Sequence, residues 1–327
     1  MAKEHQYQSF RDFFIDTLPL GNFWKCVDEN SCVFRGESTN TYELLPSALR
    51  KSNKRKLWGM AGRSINEEMD DDYWQVLLEY ENIHNFYQIA NESGLKIPTN
   101  DLTNQHYLNR IPHLVLNEKK SINWIFDEIV EIAALAQHYG VLTRLLDWTK
   151  NLYIACYFAA LGAIKTQKSD SKDFMVIWVM EKSLVEYYYQ RIPLRFVTPS
   201  YYNNPNINAQ QGLLSYWKIA VNDYSGAKIV MDSQRNKQPV DRTPLDKLLD
   251  QYCNENHILE DLLHKIMIPV TDCIEMYQTI SKLGYTTSSL FPGYAGVTKQ
   301  LEEQVDVQRI AREMKTSKTN LLNKPAH

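Results

Sequence analysis

The segment "DFMVIWVMEK" (173–182) limits the fold more than any other part of the chain. Its centre is almost wholly apolar, as in a strand buried on both faces. Such a strand needs a sheet with layers packed on either side. "NLYIACYFAALGAIK", starting at Asn151, reads as a buried helix suited to be one of those layers. "VLTRLLDWT" (141–149) directly precedes it and reads as another strand. The N-terminal part adds a strand at 31–35 and an amphipathic helix at 8–20 with Phe10, Phe13, Phe14 and Leu18 on one side, closed by Pro19 and Gly21.

Further helices are expected over 67–94, 121–140 and 271–285. Ser121 is positioned to cap the second, with Gly140 at its end. "LRFVTPSYY" and "AKIVMDS" are strand candidates, and "ILEDLLHKIMIP" reads as a helix running into a short strand. Residues 95–122 read as a loop with a short helix. Strands and helices are mixed without strict alternation. The expected fold is therefore α+β: a mixed or antiparallel sheet core with flanking helices and a helical insertion at about 52–125. Residues 1–306 form a single domain in this reading, with a polar, fraying tail at 307–327.

Composition narrows the function classes. The net charge of −3 argues against a surface that coats nucleic acid generally. A local patch remains open, because "RKSNKRK" (50–56) holds five cations in seven residues. It is either a solvated loop or a phosphate-backbone contact through Lys51, Lys54, Arg55 and Lys56. The five cysteines are scattered without CxxC spacing, which points to free thiols in a cytoplasmic setting and to no metal site. "MAKEHQYQSFRDFF" lacks the pattern of a secretory leader, and the best apolar run is too short to span a membrane.

The informative residues are polar ones embedded in apolar segments: Arg35, His138, Arg144, Asp147, Thr149, and the pair Gln210 and Gln211. In a strand over 141–149, Arg144 and Asp147 point to opposite sides. Each therefore needs a partner from elsewhere, since an unpaired buried charge costs several kcal/mol, on the order of 3–5. Arg35 and Asp147 could pair with each other; alternatively the guanidinium fork meets a ligand phosphate. His138 either bonds a free helix carbonyl or serves a ligand.

These residues lie in segments that resemble the FRG domain family. "FRGE" with "YELLPSALR" resembles its first motif, and "ALAQHYGVLTRLLDWTKNLYIACYFAA" its most specific one. "INAQQGLL" and the stretch from "KIMIP" to "LGYTTSSLFPGYAG" complete the order over about 23–300. Val141 and Leu142 depart from the family, which has a proline there. A weaker similarity links "VFRG" and "LLDWTKNLYIACYFA" to mono-ADP-ribosyltransferases.

That similarity implies NAD as a substrate. Arg35 and Gly36 would hold its pyrophosphate or ribose. Arg144 and His138 join the binding set, Thr149 would line the nicotinamide pocket, and Tyr153 or Tyr157 would stack on the ring. Asp147 would stabilise the cationic sugar. No glutamate matches the family's third catalytic element, and Gln210 and Gln211 lie nearest, with Gln211 as the candidate.

Three readings follow. The first is an NAD-dependent ADP-ribosyltransferase, a bacterial toxin or anti-phage effector with an RNA, DNA or protein acceptor and a regulatory or antitoxin partner. The second is a non-catalytic nucleotide or nucleic-acid binding module. The third is a buried structural network with function elsewhere.

Overall fold

The computed structural model describes residues 2–25, 27–66, 69–98, 103–118, 121–166, 173–202, 204–222 and 239–322. Its centre is a seven-stranded sheet built from β1 (Lys3–Gln6), β2 (Cys32–Glu37), β4 (Leu145–Thr149), β5 (Phe174–Glu181), β6 (Leu194–Val197), β7 (Gly212–Trp217) and β9 (Leu263–Pro269). The order across the sheet is β1-β9-β5-β2-β4-β7-β6. Among the described strands of this sheet only β1 on β9 is parallel, so the sheet is mixed and the fold is α+β. β3 (Ser121–Trp124) and β8 (Ile219–Asn222) pair separately.

β5 fills a central position between β2 and β9, and all of its side chains beyond Phe174 are buried. One face of the sheet carries the helix Leu152–Thr166, itself covered by the helices Cys273–Lys282 and Tyr294–Leu322. The opposite face packs Val33, Trp148, Trp178 and Met180 against Leu245 and Leu249 of the helix Leu245–Glu255. A third apolar cluster joins the helices Asp72–Glu92 and Val130–His138 around Tyr80 and Trp124.

The helix Leu152–Thr166 lies close on β2 because small residues meet there. The ideal Cβ of a residue replacing Gly36 would fall 1.9 Å from the carbonyl oxygen of Ala155. Glycine is therefore a steric requirement in the Arg-Gly pair.

Several elements differ from the sequence expectation. The N-terminal helix is shorter, Phe10–Asp16, with the Ser9 hydroxyl accepting from the Asp12 amide. The segment 121–140 is not one helix. Ser121 belongs to β3, paired with Asn222, and the helix starts at Val130. Tertiary contacts override helical periodicity here: Trp124 is fully buried and donates its indole N–H to Glu79 at 2.7 Å. Gly140 does end the helix, at φ +93°, and Val141 N–H returns to the Ala136 carbonyl.

β4 begins at Leu145 rather than 141. The carbonyl of Thr143 instead accepts from Ala48 N–H and Ser47 Oγ of another segment. No helix precedes β9 at 258–262. Residues 50–56 form a turn at Lys51–Asn53 and enter the helix Lys54–Met60. Of the expected tail, residues 307–322 continue the helix Tyr294–Leu322, with Ile310 buried against the main core, and 323–327 lie outside the described residues. "AKIVMDS" lies outside the described residues. Among the described residues, no helix is long and apolar enough to cross a membrane.

Candidate functional site

The site arises where the sheet opens. β2 pairs along its whole length with β5, from Cys32 opposite Glu181 to Glu37 opposite Val176. On its other edge, β2 meets β4 at one register pair among the described residues, Phe34 opposite Thr149. Continuing that antiparallel register would set Arg35 opposite Trp148 and Gly36 opposite Asp147. Those pairs are not made, and β4 runs with β7 instead.

A cavity of about 470 Å³ occupies this opening. It takes residues from both faces of β2, since Arg35 and Glu37 alternate with Phe34 and Gly36 along the strand. Asp147, Trp148 and Thr149 come from β4, and Gln137 and His138 from the end of the helix Val130–His138. Gln210, Phe158 and Phe291 complete the principal walls.

Arg35 is the bridge across the opening. Its Nε donates to Glu37 Oε1 at 2.8 Å, and its second terminal nitrogen lies 2.7 Å from the same oxygen. The other terminal nitrogen donates to the backbone carbonyl of Asp147 at 2.9 Å. The guanidinium thus supplies a donor where the β2 backbone has moved away. The Asp147 carboxylate is 3.9 Å from the guanidinium and its side chain is 66% exposed, against 16% for Arg35. Arg35 therefore pairs chiefly with Glu37, and Asp147 points its acid largely to solvent.

Thr149 fixes the floor. Its hydroxyl donates to the Gln210 carbonyl at 2.8 Å and accepts from Asn151 N–H at 3.1 Å. Gln211, at φ +47°, is exposed and does not line the cavity; its neighbour Gln210 does. The Gln210 amide donates to the Leu290 carbonyl at 3.2 Å, which ties this wall to the segment carrying Phe291.

Other sequence candidates lie elsewhere. Arg144 is buried away from the cavity, with Nε 2.7 Å from Glu79 Oε2 and a terminal nitrogen 3.0 Å from Oε1. Its partner comes from the helix Asp72–Glu92, so its charge is consumed within the fold. Tyr153 packs against Phe14 and Tyr285, while the buried Tyr157 hydroxyl meets Thr287 and Glu303. Neither ring lines the cavity. Lys51, Lys54 and Arg55 border a separate depression of about 370 Å³ with Arg242 and Asp70. Asp70 holds Arg242 at 2.7 Å, and Lys54 lies 3.9 Å from it. Lys56 is exposed and lies outside that depression.

Glu37, Gln137, Phe158 and Phe291 were not singled out by sequence. For Glu37 the signal was present: two residues after Arg35 on a strand is the same face.

Burial lowers the His138 imidazole below its ordinary value, and the nearby Asp147 offsets part of this. His5 and His84 are lowered mainly by burial as well. A histidine lowered on folding binds fewer protons in the folded chain than in the unfolded one. Its contribution is thus fully present above the unfolded value, about 6.5, and is lost as pH falls below it. The melting temperature is expected to hold steady from neutral to mildly basic pH and to decline as the pH is lowered beneath that value. Scanning calorimetry across this range checks the sign; a rise on acidification contradicts it.

Residues 30–168 match the FRG domain, a span that includes β2, the helices Asp72–Glu92 and Val130–His138, β4 and the helix Leu152–Thr166. It contributes Arg35, Glu37, His138 and Asp147 to the cavity, whereas Gln210 and Phe291 come from beyond it. No curated protein and no solved structure matches the chain. The segment that forms most of the central cavity, residues 30–168, is thus similar to the FRG domain.

Proposed function

We propose that the cavity between β2 and β4 binds NAD by its nicotinamide-ribose end and breaks the bond joining them, transferring ADP-ribose to an acceptor. The observation that carries this reading is a set of ionisable side chains, Arg35, Glu37, Asp147 and His138, in one cavity with the aromatic residues Phe158 and Phe291. The aromatic part suits a flat ring, and the carboxylates suit a sugar that becomes cationic as the bond breaks.

Arg35 has a different task here from simple phosphate capture. Its grip on Glu37 orients that carboxylate, while its terminal nitrogens retain further hydrogens for a ligand. Glu37 then takes the part that sequence comparison left to Gln211. Thr149 and Gln210 shape the floor. A nucleic-acid acceptor is compatible with the depression bordered by Lys51, Lys54 and Arg55. A toxin or defence effector is the corresponding biological role, with an antitoxin-type partner as its control.

The test is incubation of the folded protein with NAD labelled in its adenine, with and without cell extract. Free nicotinamide should accumulate, and the label should pass to RNA, DNA or protein. A protein that melts cooperatively yet releases no nicotinamide contradicts the reading.

A further inference from the structure

The helix Tyr294–Leu322 is apolar on two opposite sides, and only the inner one is covered by the chain itself. On the inner side Ile310 is fully buried in the main core, and Glu303 is buried beside it. On the outer side stand Tyr294, Val297, Leu301 and Val305, which are 93%, 49%, 60% and 68% exposed. These recur at intervals of three and four, the spacing of a single helix stripe. Ile310 follows Leu301 by nine residues. At about 100° per residue this sets the two on opposite sides.

The helix cannot roll to hide the outer stripe. Glu303 accepts hydrogen bonds from Thr287 and from the buried Tyr157 hydroxyl, the latter at 3.2 Å, and Lys165 lies 3.4 Å from it. Turning the stripe inward would break these contacts and expose Ile310. The stripe therefore needs a cover from outside the chain. At the exposures given, its four side chains present roughly 500 Å² of surface. That is at the upper end of what a monomer shows to water.

We propose that the cover is the same stripe of a second copy, packed antiparallel with Leu301 on the two-fold axis. The spacing selects this occupant. Val297 and Val305 stand four residues before and after Leu301, and Tyr294 and Gln308 stand seven before and after. The stripe thus reads the same from either end, as a self-complementary two-fold contact requires. Reversed on a second copy, Leu301 meets its counterpart and Val297 meets Val305. Tyr294 meets the exposed Gln308, whose amide can hydrogen-bond its hydroxyl.

Parallel packing would instead set the exposed Arg312, one turn beyond Gln308, against its own counterpart. Like charges facing each other there oppose association. In the antiparallel arrangement Arg312 passes beyond the start of the other helix at Tyr294. The two stripes together remove roughly 1,000 Å² from water, the lower limit for a specific interface. Phe291, three residues ahead of Tyr294, lines the cavity between β2 and β4, so the seam braces one wall of that cavity. The pairing stands whatever the cavity binds.

Sedimentation velocity of the full chain between about 1 and 100 µM should show a reversible monomer–dimer equilibrium with a Kd on the order of 10 µM, as suits an interface of this size. Leu301→Asp should weaken the dimer by at least about 10-fold, because it puts a charge at the centre of the seam. It should leave the melting temperature of dilute protein unchanged, since Leu301 is exposed in the monomer. Val297→Lys and Val305→Glu should each weaken the dimer as well. Combined in one chain they should cost at least about 5-fold less than the product of their separate effects, since antiparallel packing alone sets the two new charges against each other. A wild-type chain that stays monomeric at the highest concentration overturns the proposal and leaves the stripe to a different protein. A dimer indifferent to Leu301→Asp overturns it by placing the contact elsewhere. Simple multiplication of the two charge effects overturns the antiparallel packing.

Discussion

Replacing Gly36 with alanine is expected to deprive the protein of its fold. The added methyl would lie 1.9 Å from the Ala155 carbonyl oxygen, 2.8 Å from its carbon and 2.9 Å from the Ala159 nitrogen. All three are backbone atoms of the helix Leu152–Thr166, so no rotamer change relieves the contact. The helix has little room to retreat, since Ile154, Ala155, Cys156, Ala159 and Ala160 are all fully buried. The cost should exceed the ~1–3 kcal/mol usual for overpacking. In a chain of this size that means a melting temperature lower by about 10 °C or more, or insoluble protein. Gly59→Ala is the control. It lies in the helix Lys54–Met60 with no atom within 4 Å of its would-be Cβ. The change there should be neutral or stabilising by up to about 1 kcal/mol. If thermal melting shows Gly36→Ala and Gly59→Ala alike, the close approach of β2 and this helix is not what requires glycine.

Glu79→Ala should be nearly as damaging. Glu79 is wholly buried midway along the helix Asp72–Glu92. It accepts two hydrogen bonds from Arg144, one from Trp124 Nε1 at 2.7 Å and one from Gln75 Nε2 at 2.8 Å. Removing it leaves a buried guanidinium and an indole N–H without their acceptor, while the Gln75 amide keeps the Ala48 carbonyl. Breaking such a pair costs about 3–5 kcal/mol. Arg144→Ala should fall in the same range, as it orphans the carboxylate instead. The combined change Glu79→Leu with Arg144→Met should destabilise less than either single truncation, because it removes both charges together. Urea denaturation of the set measures this. A Glu79→Ala midpoint close to the wild type would contradict the assignment of Arg144 to the fold.

The elements most legible in the sequence were those whose environment is uniform. The run from Phe174 to Glu181 is apolar because both faces of β5 are covered, and the helix Leu152–Thr166 is apolar all round for the same reason. Arg35 and Asp147 were readable as charges in apolar segments, and they line one cavity. What stayed hidden depended on partners remote along the chain. The acid for Arg144 lies 65 residues upstream, inside a helix whose other polar residues mask it. β3 looked helical because its pairing with β8 is a contact between distant segments. The C-terminal helix looked like a tail beyond Asp306 because that stretch is rich in polar residues and only spaced ones such as Ile310 are buried. Gln210 and Gln211 differ by one position, and the positive φ of Gln211 decides which faces the cavity.

The most direct test of the central claim is the rate of nicotinamide release by Glu37→Gln protein relative to wild type. Glutamine keeps the size of the side chain and a hydrogen-bond acceptor for Arg35, but it removes the negative charge. If Glu37 stabilises the cationic sugar, release should fall by about 100-fold or more while the melting temperature stays near that of the wild type. A folded Glu37→Gln protein that releases nicotinamide at the wild-type rate would show that the chemistry does not occur in the opening between β2 and β4.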